Sequence, residues 1–315
     1  MNSMMGGDEF RGLSAMSIRA ALISFVMKHT IRKQFDQLED VPTLREAMKK
    51  SEQLGGKLPD NVAVVPQMVD ELAMDWITLE EVDQNQVILY LHGGGYIVGT
   101  PAGYRDMNWR LAELAGCRVL FVDYRLAPEN PFPAAVEDAT AAYRWLLEEG
   151  FKPEQIALCG DSAGGGLAMA TMLNLKNLGL PQPACAALMS PWVDLSLSGS
   201  SMKEFDGVDC ILTEQALSKM AANYLGDRDR KAALASPLFA DLANLPPVSI
   251  HVGSHEVLYS DSERLVEAIL AAGGKAELEV WQKMPHVFPV FAGRIPEGKQ
   301  ALSKMAEFFK RHLAE

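Results

Sequence analysis

Only four of the 315 residues are cysteines, no run of basic residues is long enough to follow a phosphate backbone, and aromatic residues make up only 8%. The formal net charge is −12, which makes nucleic acid an improbable partner and leaves a small molecule as the natural ligand. Cys117, Cys159 and Cys185 lie in or beside apolar runs and Cys210 stands apart, so all four read as reduced, structural thiols. The apolar segment from Leu13 to Met27 is broken by Arg19, has no basic start and lacks a small-residue cleavage site. It therefore reads neither as a signal peptide nor as a membrane span, and the chain is expected in the cytoplasm. Repeats and low-complexity tracts are also lacking.

What the chain does have is apolar residues, 48% of the total, enough for one large α/β domain with an appendage. Residues 1–56 read as helical, with Ile18, Ala21, Leu22, Phe25 and Val26 at helical spacing and a second helix starting at Pro42-Thr43. Strand-like runs follow at Val62 to Met68, Leu72 to Leu79 and Val87 to Leu91. Strands and helices then alternate: strand Arg118 to Tyr124, helix Ala134 to Glu149, strand Gln155 to Cys159, helix Ser162 to Leu178 and strand Ala184 to Met189. The rhythm returns with strand Val248 to Val252, helix Asp261 to Ala272, strand Ala276 to Trp281 and a last helix near Glu297 to Leu313. Such alternation predicts a mostly parallel central sheet with helices on both faces. The polar interval Leu195 to Asp229, helical only around Thr213 to Tyr224, reads as an insertion at the sheet's C-terminal edge, where substrate-covering lids grow.

Gly160-Asp161-Ser162-Ala163-Gly164 fits G-x-S-x-G and stands between a strand and a helix, the context in which that turn presents a nucleophilic serine. A glycine-rich turn that merely packs or binds phosphate is the plainer alternative. His92-Gly93-Gly94-Gly95 follows the buried run Val87 to Leu91 and fits an oxyanion loop, with the amides of Gly93, Gly94 and Ala163 as candidate donors. In the fold that presents a serine on such a turn, the base follows the serine in chain order. Of the six histidines, His29 and His92 precede it, His251 falls in a strand, His255 lies just after that strand and His312 is in the terminal helix, which leaves His286. Glu256 follows the strand Val248 to Val252 and is the candidate acid, whereas Asp261 reads as the N-cap of the next helix.

These motifs resemble those of the hormone-sensitive-lipase-like, or bacterial family IV, esterases of the α/β-hydrolase fold. The resemblance runs from His92-Gly93-Gly94-Gly95-Tyr96 through Asp123-Tyr124-Arg125-Leu126-Ala127-Pro128-Glu129 and Pro131-Phe132-Pro133-Ala134-Ala135. It continues through Gly160-Asp161-Ser162-Ala163-Gly164-Gly165 to His286-Val287-Phe288. It implies a carboxylesterase for short acyl esters, with no cofactor or metal, and a helical cap made of residues 1–56 and 195–230 on a catalytic domain of 57–194 and 231–315. A homodimer is implied as well. Many relatives carry Asp-Pro-Leu for the acid, whereas this chain has Glu256-Val257-Leu258. A deacetylase, lactonase or amidase would share the same triad, and a ligand-binding receptor on this fold would have lost the histidine that is present here. Arg125, Glu129 and Asp138 are expected to form a buried polar network, Asp161 to bond backbone in its turn, and Asp194 to be structural. Phe10, Phe25, Trp192 and Phe205 are candidate core or acyl-pocket residues.

Overall fold

The computed structural model describes residues 16–36, 40–52 and 57–313. Phe10 and the parts of the expected N-terminal helical stretch at 1–15, 37–39 and 53–56 lie outside them. Three helices open the described chain: α1 (Ile18–His29), α2 (Ile31–Asp36) and α3 (Val41–Glu52). Eight strands, β1 (Val62–Val69), β2 (Leu72–Leu79), β3 (Asp83–Leu91), β4 (Cys117–Asp123), β5 (Ile156–Asp161), β6 (Cys185–Met189), β7 (Val248–Gly253) and β8 (Ala276–Trp281), form one sheet. Its order is β1-β2-β4-β3-β5-β6-β7-β8. The pairs β1·β2 and β2·β4 are antiparallel, and every pair from β4·β3 onward is parallel.

The unbroken apolar runs of the central strands follow from burial on both faces. Along β3, Val87, Leu89 and Leu91 enter one core while Ile88 and Tyr90 enter the other. The first core is closed by α5 (Ala134–Glu148), α6 (Ala163–Asn177) and α9 (Tyr259–Ala271). The second is closed by α4 (Pro101–Ala115) and α10 (Pro296–His312). Helix α4 is absent from the sequence reading, although Thr100 caps it, Pro101 opens it and Gly116 in the left-handed conformation ends it. The strand order turns back at β3 and β5, and ligands of open α/β sheets bind outside the strand ends at such a point.

The interval between β6 and β7 carries α7 (Ser201–Glu204) and α8 (Glu214–Leu225) and no strand among the described residues. It joins the N-terminal helices: the Thr213 hydroxyl donates to Asp36 at 2.6 Å, Lys219 donates to the Asp36 carbonyl at 3.2 Å, and Arg32 donates to the carbonyls of Asp206 and Asp209. It also meets the loop after β3, where Tyr224 stacks on Tyr96 with ring centroids 3.8 Å apart. On α1 the spacing of Ile18, Leu22, Phe25 and Val26 does mark one face, but those side chains are exposed and the buried residue is Ala20.

Candidate active site

Strand β5 delivers Ser162 into a turn at φ +52°, ψ −121°, a region that L-residues avoid at a cost of about 1–3 kcal/mol. The neighbouring backbone over-determines it: the Ser162 amide donates to Met189 at 2.8 Å, and its carbonyl accepts from Gly165, Gly166 and Trp192. A Cβ at Gly164 would run into the Leu91 and His92 carbonyls, so only glycine lets α6 start this close to the end of β3.

The histidine and the acid arrive on the two loops beyond β8 and β7. His286 Nε2 lies 3.0 Å from Ser162 Oγ, and His286 Nδ1 lies 2.6 Å from Glu256 Oε2. The other oxygen of Glu256 accepts the Gly253 amide at 2.6 Å and the Ser190 hydroxyl at 2.8 Å, and Ser190 in turn accepts the Val287 amide at 3.1 Å. Ser190 thus ties the acid loop to the histidine loop, a role that sequence reading missed because the bonds join residues distant in the chain. Gly253 has a similar effect, since a Cβ there would strike the Met284 carbonyl. All three side chains are buried, Ser162 retaining 7% exposure. Burial pulls the His286 pKa down, but the hydrogen bond and charge of Glu256, with Asp209 and Asp161 behind it, more than offset this and raise it above the ordinary value.

The structure corrects one of the expected oxyanion donors. The Gly93 amide is committed to Asp161 Oδ1 at 2.8 Å and to the Tyr104 hydroxyl at 3.1 Å. The amides of Gly94, Gly95 and Ala163 have no acceptor among the described residues. Asp161 therefore does bond backbone, as expected, but across to the loop after β3, with Tyr90 and Tyr104 as further donors at 2.7 and 3.1 Å. His92 is a brace, stacked on Tyr124 with centroids 4.1 Å apart and held neutral by burial, which lowers its pKa to about 4.

The expected Arg125–Glu129–Asp138 network divides in two. Arg125 grips Asp138 through two nitrogens and reaches Glu137, whereas Glu129 pairs with Arg45 on α3, whose guanidinium also donates to the carbonyls of Ile97 and Ala127. Asp261 is not an N-cap. Its helix begins two residues earlier, and its carboxylate reaches back to accept the Val193 and Asp194 amides, each at 3.0 Å. Asp194 is structural, bonded to Ser196, Ser198 and Arg264. Trp192 is fully buried, Phe205 packs against the core, and Phe25 is 62% exposed. Among the described residues no group of His, Cys, Asp or Glu is arranged to hold a metal ion, and no helix is long and apolar enough to cross a membrane.

Residues 88–290 match the family model described as alpha/beta hydrolase fold. An acetyl-hydrolase of Streptomyces hygroscopicus is 42% identical over 247 residues, covering 78% of this chain and 82% of that protein. A crystal structure of an esterase from the bacterial hormone-sensitive lipase family superposes with a TM-score of 0.90 at 40% identity, over 96% of this chain and 100% of the other. The chain belongs to the hormone-sensitive-lipase-like esterases. It is a carboxylic ester hydrolase on the α/β-hydrolase fold. A crystal structure of EstE5 soaked with p-nitrophenyl butyrate is 38% identical, with a TM-score of 0.88 over 95% of this chain and 100% of that one.

Proposed function

We propose that the esterase hydrolyses short-chain acyl esters through a Ser162–His286–Glu256 triad and an acyl-enzyme intermediate. The observation that carries this reading is the continuous chain from Ser162 Oγ to His286 Nε2 at 3.0 Å and from His286 Nδ1 to Glu256 Oε2 at 2.6 Å. Ser162 Oγ attacks the ester carbonyl as its proton passes to His286, and Glu256 stabilises the resulting imidazolium. The negative oxygen of the tetrahedral intermediate is met by the amides of Gly94, Gly95 and Ala163, with Gly95 replacing the occupied Gly93. The intermediate collapses, His286 gives its proton to the departing alkoxide, and the acyl group stays on Ser162. Water then repeats the sequence, releasing the acid and restoring the serine.

A short acyl preference is supported by the cap, which we assign to the N-terminal helices within residues 1–56 and the insertion 195–230. Met220 of α8 crowds Gly95, leaving little room beside the oxyanion loop. The names of two relatives point the same way, one an acetyl-hydrolase and one soaked with a butyrate ester. The four free, buried cysteines suit a reducing cytoplasm, and the homodimer rests on the family resemblance.

The deciding experiment combines a chromogenic acyl-length series with a fluorophosphonate label. Turnover should peak for acyl chains of about two to six carbons, the label should map to Ser162, and Ser162→Ala should lose both. A label on another residue would sink the mechanism. A preference for chains of twelve carbons or more would retain the mechanism but refute the substrate class.

A further inference from the structure

Asp209 belongs to the insertion between β6 and β7, yet its carboxylate is spent on the acid loop as well as on its own. Oδ1 accepts the Ile211 and Leu212 amides at 2.8 and 3.0 Å, which closes the turn into α8. Oδ2 crosses to the catalytic domain and accepts the Val257 amide at 2.9 Å. Its own carbonyl is gripped by Arg32 of α2. A fully buried carboxylate is costly unless its lone pairs are filled, and here three amides fill them.

The position of that third amide matters. The Glu256–Val257 peptide sets the direction in which the Glu256 side chain leaves the backbone, and Glu256 must meet His286 across a 2.6 Å bond. We infer that Asp209 is a positioning residue for the catalytic acid, and that through Arg32 and Asp209 the N-terminal helices and the insertion hold the triad in register. This inference rests on Glu256 being the triad acid. It also gives a reason for the Glu256-Val257-Leu258 triplet. A proline after the acid, as in the Asp-Pro-Leu of many relatives, has no N–H to donate, whereas Val257 has one and Asp209 takes it. The longer, more flexible glutamate is thereby fixed from behind by a bond that the proline version cannot make.

Two substitutions attack the same bond from its two ends. Asp209→Asn keeps the size of the side chain but has one oxygen in place of two, so it can serve either the Ile211 and Leu212 amides or the Val257 amide, not all three. Val257→Pro removes the donor and leaves Asp209 unchanged. Each should lower kcat for a short soluble ester by about 10- to 100-fold, the scale of a small misplacement of a catalytic group, while KM stays within about threefold of wild type. The double variant should lose little more than Asp209→Asn alone, because Val257→Pro then has no bond left to break. The low-field proton resonance of His286 Nδ1–H, which reports its bond to Glu256 directly, should shift or vanish in both variants with the thermal melt still cooperative. A wild-type kcat and resonance in either folded variant would overturn the inference, as would additive losses. Loss of the cooperative melt in both would overturn it too, by making the role one of folding. Glu256→Gln separates the two levels. If that variant turns over normally, the triad assignment itself is wrong. If it collapses while Asp209→Asn and Val257→Pro do not, only the positioning role is refuted.

Discussion

Glu256 and Asp261 lie five residues apart on one loop-to-helix segment, both fully buried, and their surroundings assign them opposite tasks. Glu256 faces a base: one oxygen holds His286 and the other is filled by the Gly253 amide and the Ser190 hydroxyl. Asp261 bonds only backbone, with Asp194 and Arg264 nearby. Its Oδ2 takes two amides, its Oδ1 has no partner among the described residues, and burial together with the nearby Asp194 raises its pKa to about 8. Burial alone therefore does not mark a carboxylate for catalysis. In the proposed mechanism Glu256 is set apart by a partner that gains positive charge during the reaction.

Glu256→Gln tests that contrast most severely. The amide keeps the size of the side chain but removes the charge that stabilises the imidazolium and can favour the wrong tautomer of His286. The expected loss in kcat is about 10³- to 10⁴-fold, by analogy with the serine-protease acid, with the fold retained by circular dichroism. A loss of less than tenfold would mean that Glu256 is no more catalytic than Asp261.

A smaller effect concerns pH. Deprotonated His286 is the form that can accept the serine proton, and the carboxylates around it raise its pKa above the ordinary ~6.5. kcat/KM should therefore fall as pH drops through a midpoint above that value, about tenfold per unit below it. In Glu256→Gln the residual activity should show the same limb displaced to lower pH, because the largest charge favouring the imidazolium is gone. A wild-type midpoint below pH 6, measured where the protein is folded, would show that desolvation of His286 outweighs its carboxylate neighbours.

The parts of this site that the sequence discloses are those set by local chain geometry. The serine turn needs its glycines at fixed places between a strand and a helix, and chain order read together with the strand and helix pattern leaves His286 as the candidate base and Glu256 as the candidate acid. Residues whose task is defined by a partner far along the chain are not disclosed in that way. Gly93 looks like an oxyanion donor until Asp161, 68 residues later, is seen to hold its amide. Ser190 meets Glu256 across 66 residues and Asp209 meets Val257 across 48. Asp261 shows how a local rule can fail. An acid near a helix start reads as a cap, but the helix begins at Tyr259 and the carboxylate serves the loop after β6 instead. The strand alternation predicts the sheet because β3 to β6 each carry an unbroken apolar stretch (Val87–Leu91, Val119–Val122, Ile156–Cys159 and Cys185–Met189), whereas α4, with Asn108 buried among its apolar residues, breaks the periodic pattern that would mark it.

Asp261→Asn completes the comparison with the smallest expected effect on catalysis. The amide oxygen can still accept the Val193 and Asp194 amides, and no member of the triad is bonded to this residue, so kcat should change by no more than about twofold. Stability should respond instead, and with a definite sign. In the unfolded chain the Asp261 carboxyl titrates near its ordinary 3.8, while in the folded protein its pKa is raised to about 8. Between those values the folded state holds a proton that the unfolded state has released, so this residue's contribution to stability declines as pH rises from about 4 to about 8. Asparagine carries no such proton. The Tm of Asp261→Asn relative to wild type should therefore climb steadily between pH 5 and 8, with the variant gaining most at the alkaline end. Parallel melting curves across that range would show that Asp261 is ionised throughout and that its unpartnered oxygen has found a donor. A collapse of kcat in Asp261→Asn with Glu256→Gln near normal would reverse the two assignments.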